Sequence, residues 1–176
     1  MVRLCFTALF AALIAGGTFI AVPLGPIPLV LQNLFVLLSG MILGPLLGSA
    51  AVCLYLLAGI LGAPVFAGFT GGITRLAGPT GGFLAGYILA ALVSGLIAGK
   101  PGIVFSQIRI IAAAILGLLA VYIPGLVWLK ISTGYDWAKT LITGFVPFLL
   151  GDLLKGIAAV LIAPRLRKIA GNHFHG

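Results

Sequence analysis

Two ionisable side chains, Asp152 and Lys155, stand three residues apart in an otherwise apolar run. At helical spacing they project from one face. Each costs about 2.5 to 3.5 kcal/mol at the centre of a bilayer on insertion scales, so the pair needs a reason to be there. One reason is mutual neutralisation in a structural ion pair. The other is a polar ligand facing both, which the habit of intramembrane ionisable groups to mark substrate pathways favours.

Gln32 and Asn33 are adjacent amides in a stretch of Leu, Val and Phe. A buried amide is costly without partners, so each either bonds a neighbouring helix or lines a pocket. Arg75 carries a planar fork suited to a carboxylate clamp, and equally to a lipid headgroup. The run Ala8, Ala11, Ala12 and Ala15 contains two Ala-xxx-Ala spacings that let a second helix approach closely. That helix belongs either to the same bundle or to a separate membrane subunit.

Enzymatic readings fail on spacing. Gly95 to Lys100 resembles a phosphate loop but is one residue short between its glycines, and Pro101 follows the lysine where Ser or Thr is needed. His173 and His175 lie in the polar C-terminal segment, away from any serine within a span. Asp136 sits in a polar connector beside Trp137 and Lys139, so it does not form an intramembrane aspartyl dyad with Asp152. Cys5 and Cys53 are isolated small core residues with no metal-ligating neighbour. No catalytic residue, metal or cofactor is expected.

The elements that position these residues follow from composition. The chain is 62% hydrophobic and 7% charged, too apolar to build a water-exposed surface. No Asp, Glu, Lys, Arg or His occurs between Arg3 and Arg75. At about 20 residues per crossing, that stretch holds three spans. The spacing predicts an all-α integral membrane protein with spans at about 4–22, 29–43, 47–61, 83–99, 110–129 and 145–163. The first span reads as a retained helix, since it lacks a multi-lysine start and runs on into further spans. Pro/Gly punctuation between Pro23 and Pro28, and at Gly44, Pro45 and Gly48, marks the first two turns.

Residues 62–82 differ from the rest, with seven glycines, two prolines, three threonines and Arg75. They read as a long loop between the third and fourth helices, facing a cavity that satisfies its backbone. Parity puts Arg3, Lys100, Arg109, Arg165, Arg167 and Lys168 on one side and Arg75, Lys130 and Lys139 on the other. The positive-inside rule makes the first side cytoplasmic, with both termini inside and the glycine-rich loop outside. Trp128 and Trp137 then fall at the outer boundary. Asp152 lies on the order of 10 Å below the outer end of its helix, within reach of a pocket open outward. The net charge of +8 suits anionic headgroups at the span ends rather than nucleic acid. Residues 1–168 form one six-helix substrate-binding domain, followed by a polar cytoplasmic tail at 169–176, which leaves no room for an ATPase module.

With those residues in hand, the chain resembles the BioY family, the biotin-specific S components of energy-coupling factor transporters. The resemblance runs nearly end to end. It rests on PLVLQNLFVLL at 28–38, GAPVFAG at 62–68, GPTGGFLAG at 78–86 and PFLLGDLLK at 147–155, the last two being the more specific. Asn33 stands where a threonine is more usual, and Phe83 where tyrosine is common, which removes a hydroxyl.

The resemblance implies six helices, biotin held beneath the outer loops, and an Ala-xxx-Ala face on the first helix that meets a transmembrane coupling subunit. Two cytoplasmic ATPase subunits would complete the transporter in a prokaryotic cell membrane. The chain works either with that coupling module or alone as a homo-oligomer. By position, Asp152, Lys155, Gln32, Thr80, Gly81 and Gly82 fall where binding residues are expected. The chemistry is compatible: Asp152 accepts ureido N–H groups and Lys155 or Gln32 donates to the ureido carbonyl. Arg75 or the glycine-loop amides take the valerate carboxylate, and Phe66 and Tyr87 serve as walls. An S component for thiamin or riboflavin, or a structural membrane subunit, is the competing reading.

Overall fold

Proline decides where the first helix stops. In the computed structural model, which describes residues 1–23, 27–99 and 106–174, helix α1 covers Val2–Phe19. The residues expected to finish its span instead form strand β1, Ala21–Pro23, paired antiparallel with β2, Pro28–Val30. Val22 and Ile27 each precede a proline, whose ring disfavours helical backbone at the residue before it, so both helices yield to a ribbon here. Part of the expected turn at 24–26 lies outside the described residues, as do Lys100, Pro101 and His175.

Helix α2, Gln32–Leu43, is the centre of the molecule. Of its 12 residues all but Phe35 are buried, and it packs against α1 and four helices that follow. Gly44, at φ 85°, reverses the chain and Pro45 opens α3, Pro45–Ile60, at the position where a missing N–H costs nothing. The segment 61–80 contains only a short helix α4, Thr74–Ala77, and a single bridge between Phe66 and Thr70.

Helix α5, Gly81–Ala98, starts two residues earlier than expected and runs against α6, Gln107–Thr133. The seam is built from small residues at four-residue spacing: Gly82, Gly86, Ala90, Ser94 and Ala98 are all buried on α5. A Cβ on Gly86 would sit 2.7 Å from the Val121 carbonyl oxygen, so only glycine admits this approach of the two backbones. Next, α7, Trp137–Gly144, begins at Asp136, whose carboxylate accepts from the Lys139 backbone N–H at 2.8 Å. Asp136 is therefore a helix cap. A single 3₁₀ turn, Val146–Phe148, leads into α8, Leu149–Phe174.

The last helix passes the expected stop at Ala163 and continues through Pro164 to Phe174, which makes residues 164–174 helical. Arg167, expected among headgroups with Arg165 and Lys168, is fully buried. It donates to the Met41 carbonyl at the end of α2, and to Ala98 and Gly99 at the end of α5, at 3.1 and 2.8 Å. Those carbonyls have no partner within their own helices and carry the negative end of the helix dipole. A planar guanidinium meets several at once.

Polar groups point inward and apolar groups outward. Asp152, Lys155, Gln32 and Asn33 are buried, while Leu9, Leu57, Leu96, Ile123 and Leu161 are exposed. Among the described residues four stretches are long and apolar enough to cross a bilayer: α1, α5, α6 and the run from α7 into α8; α2 and α3 are shorter apolar helices. The chain is a mostly helical membrane-embedded protein.

Candidate substrate-binding site

The first turn of α2 supplies the two amides, and their neighbouring positions aim them into two adjoining clefts. Gln32 faces a cleft of about 460 Å³ lined also by Phe66, Arg75 and Thr80. Asn33 faces one of about 340 Å³ lined also by Tyr122, Asp152 and Lys155. Ile27, Pro28, Val30, Phe83 and Tyr87 line both, so the clefts are two lobes of one site. Each lobe is apolar in most of its wall with a few convergent polar groups, the make-up of a small-molecule site.

Asp152 is the hub of the second lobe. Its Oδ1 accepts from Lys155 Nζ at 2.7 Å and from Asn33 Nδ2 at 3.3 Å, and its Oδ2 accepts from the Tyr122 hydroxyl. The ion pair anticipated from spacing is present and both partners line the cleft. Lys155 carries three N–H donors and spends one on Asp152, which leaves its ammonium able to donate to a ligand. The ion pair and the cleft-lining pair are thus one arrangement. Burying the pair costs several kcal/mol per ion before its mutual attraction is counted. The added donors from α2 and α6 lower that cost by satisfying the carboxylate.

Aromatic rings hold these groups in place. Phe83 meets Tyr122 edge-on at 6.2 Å, and Tyr122 meets Phe145 edge-on at 4.8 Å. Phe66 packs edge-on to Tyr55 at 5.6 Å and covers the bare backbone of Gly59. The side-chain oxygen of Asn33, on the wall of the second lobe, is buried without a hydrogen-bond partner, while the Gln32 amide interacts with the buried Tyr55 hydroxyl behind the first lobe. Orphaned polar atoms at the edge of a cavity are what a polar ligand would satisfy.

Arg75 lines the first lobe, where its guanidinium donates to the Ala67 carbonyl at 3.5 Å. Thr80 precedes α5 and faces the same lobe without bonding the helix end. Gly81 and Gly82 line neither lobe. A Cβ on Gly81 would collide with the Leu76 carbonyl, and Gly82 lies against Pro124 and Trp128, so both serve close packing. The Trp128 indole N–H donates to the Gly78 carbonyl at 2.9 Å and pins the glycine-rich segment to α6.

On α1, Ala8 and Ala12 are exposed, and Gly16 continues their line with open space beside it. Ala11 and Ala15 are half-buried against the bundle. The two Ala-xxx-Ala spacings therefore face different ways. Tyr122, Phe83, Phe148 and Ile27 belong to the site and were not anticipated in these roles. A hydroxyl-bearing aromatic inside an apolar span was the one available signal, at Tyr122. Among the described residues no group of His, Cys, Asp and Glu is arranged to hold a metal.

The chain is 44% identical to the biotin transporter BioY of Thermotoga maritima over 169 residues, 96% of this chain and 98% of that one. It is 42% identical to the probable biotin transporter BioY of Pyrococcus horikoshii over 160 residues, covering 91% and 93% of the two chains. Its fold is similar to a crystal structure of the S-component for biotin from an ECF-type ABC transporter, with a TM-score of 0.83 and 28% identity. That match covers 94% of this chain and 90% of the other. The family model for BioY matches residues 1–172, and the chain belongs to the BioY family.

Proposed function

We propose that this chain is the biotin-binding S component of an energy-coupling factor transporter, taking the vitamin into a prokaryotic cell. It is a transport component and not an enzyme, and biotin is its cargo rather than a cofactor. The observation that carries the reading is Asp152, held by Lys155, Asn33 and Tyr122 at the wall of a bilobed, largely apolar site.

A ligand with a donor-and-acceptor head, an apolar middle and a carboxylate tail matches the two lobes. Asp152 and Lys155 take the ureido ring as acceptor and donor, with Asn33 beside them. Phe83, Tyr87 and Phe66 wall the bicycle and chain, and Arg75, Gln32 and Thr80 face the carboxylate. Gly81 and Gly82 contribute by letting α5 begin close to α6.

In the bilayer, α1, α2, α3, α5, α6 and α8 are the six spans, with both termini cytoplasmic and the glycine-rich segment outside. The short α2 and α3 are tolerated because their neighbours, rather than lipid, surround α2. Ala8, Ala12 and Gly16 form the face that meets the transmembrane coupling subunit, and two cytoplasmic ATPase subunits drive the cycle. Ala11 and Ala15 support that helix from within.

Calorimetric titration of the purified protein in detergent with biotin, thiamin and riboflavin tests the reading. Saturable heat with biotin alone is expected, and its loss in Asp152→Asn. Binding of thiamin or riboflavin instead would reassign the cargo, and no response to any of the three would remove the transport role.

A further inference from the structure

A second concavity lies outside the site, on the surface between α6 and α8. Its walls are Ile111, Ile115 and Leu118 of α6 and Leu153, Ile157 and Leu161 of α8, and its volume is about 670 Å³. Every lining residue is apolar, and Gly156 deepens the groove by letting α8 approach Leu118, 3.3 Å from where a Cβ would be. Tyr122 meets Asp152 and Leu118 approaches Gly156, so the helices run antiparallel and the groove descends from beneath the substrate site toward the Arg167 end.

Polar groups wait at that lower end. Lys168 is seven residues beyond Leu161, and Gln107 is four before Ile111, so both continue the groove-facing stripes of their helices. Both are exposed. From Leu153 to Leu161 the groove is about 12 Å long, close to half of a hydrocarbon core about 30 Å thick. The α6 wall carries the branched side chains of Ile111, Ile115 and Leu118, with Ala114 as its single small residue.

We propose that this groove retains one anionic glycerophospholipid, an acyl chain lying between α6 and α8 and the headgroup phosphate bonded by Lys168 and Gln107. The leaflet involved, the cytoplasmic one, rests on the topology proposed above. The ligand's chemistry is set by an apolar slot about half a bilayer core deep, with an exposed ammonium about 10 Å beyond its last α8 residue and an exposed amide one turn beyond its last α6 residue.

Native mass spectrometry of the full chain, incubated with equal phosphatidylglycerol and phosphatidylethanolamine of identical chains, tests it. One phosphatidylglycerol should be retained in preference. Lys168→Gln should weaken retention about fivefold, the effect of one basic side chain at an anionic surface. Ile157→Trp should abolish it by filling the slot, with Ile115→Trp as a second filler if the first fails to fold. Equal retention of the two lipids, or retention unchanged by a filled groove, overturns the proposal, as does cross-linking of Ile115 to a second copy across this face. Biotin titration on the same samples separates the two readings. Biotin binding without lipid retention rejects the lipid site alone, and lipid retention without biotin binding rejects only the transport role.

Discussion

The Tyr122 hydroxyl donates to Asp152 Oδ2 across the seam between α6 and α8, joining residues 30 positions apart. Asn33 of α2 donates to the other oxygen of the same carboxylate. One buried acid therefore knits three helices at the wall of the binding site. Removing the Tyr122 hydroxyl by Tyr122→Phe keeps the ring contacts with Phe83 and Phe145 and removes a hydrogen bond to a charged group. Such bonds contribute about 1.5 to 3 kcal/mol. Biotin affinity should fall at least about tenfold by calorimetry; unchanged affinity would detach Tyr122 from binding.

The ion pair makes a prediction in which two changes are milder than one. Lys155→Met alone leaves a buried carboxylate without its counter-charge, and such a break costs about 3 to 5 kcal/mol. Adding Asp152→Leu should recover most of the thermal stability, since a well-packed apolar pair is often as stable as a buried ion pair. Biotin binding should stay lost in the double variant. A double variant that still binds biotin would show that the pair serves the fold alone.

Packing at the α5–α6 seam is tested at Gly86. Gly86→Val places a branched side chain where a Cβ alone would sit 2.7 Å from the Val121 carbonyl. The helices must separate, at a cost of about 1 to 3 kcal/mol or more. Phe83 and Tyr87 would shift with α5, so melting temperature and biotin affinity should drop together.

On α1, the exposed and half-buried alanines should behave differently. Ala12→Leu enlarges an outward face, so biotin binding by the isolated chain should be unchanged while co-purification with the coupling subunit is lost. Ala11→Leu presses on the bundle and should lower thermal stability. If Ala12→Leu assembled normally, docking would have to use another surface.

Arg167 carries a stability prediction with an internal control. Arg167→Met strips donors from the ends of α2 and α5, and hydrogen bonds to charged groups put the loss at about 3 kcal/mol or more. Arg167→Lys should rescue little, because a point charge on a flexible stem does not reproduce the fork. Hydrogen exchange should rise at Met41 to Gly44 and at Ala98 and Gly99. Full rescue by lysine would reduce the role to charge alone.

Much of this was legible because the membrane makes polar residues conspicuous. Asp152, Lys155, Gln32 and Asn33 stood out as exceptions in apolar runs, and all four line the site. Tyr122 did not, since one tyrosine hydroxyl in a span is a weaker exception than a charge or a pair of amides. Arg167 was hidden by company: beside Arg165 and Lys168 it read as one more headgroup cation, and only the ends of α2 and α5 meeting α8 reveal its partners. The strand residues 21–22 and 29–30 were read as span ends because Val and Leu occur in strand and helix alike, although the turn read from Pro23 to Pro28 held the clue. The roles of Gly81 and Gly82 depend on which backbone lies opposite, which spacing alone does not disclose.

Helix α2 has a consequence for how the protein is made. At 12 residues it rises about 18 Å, roughly 12 Å short of the hydrocarbon core. It carries two amides at one end and relies on Arg167 from the far end of the chain at the other. A segment like that is a poor independent passenger for the insertion machinery. Such a segment is expected to enter the bilayer together with α3, as a hairpin turned at Gly44, and to stay incompletely capped until α8 docks. The centre of the core, built early on α2, is thus completed only by α8.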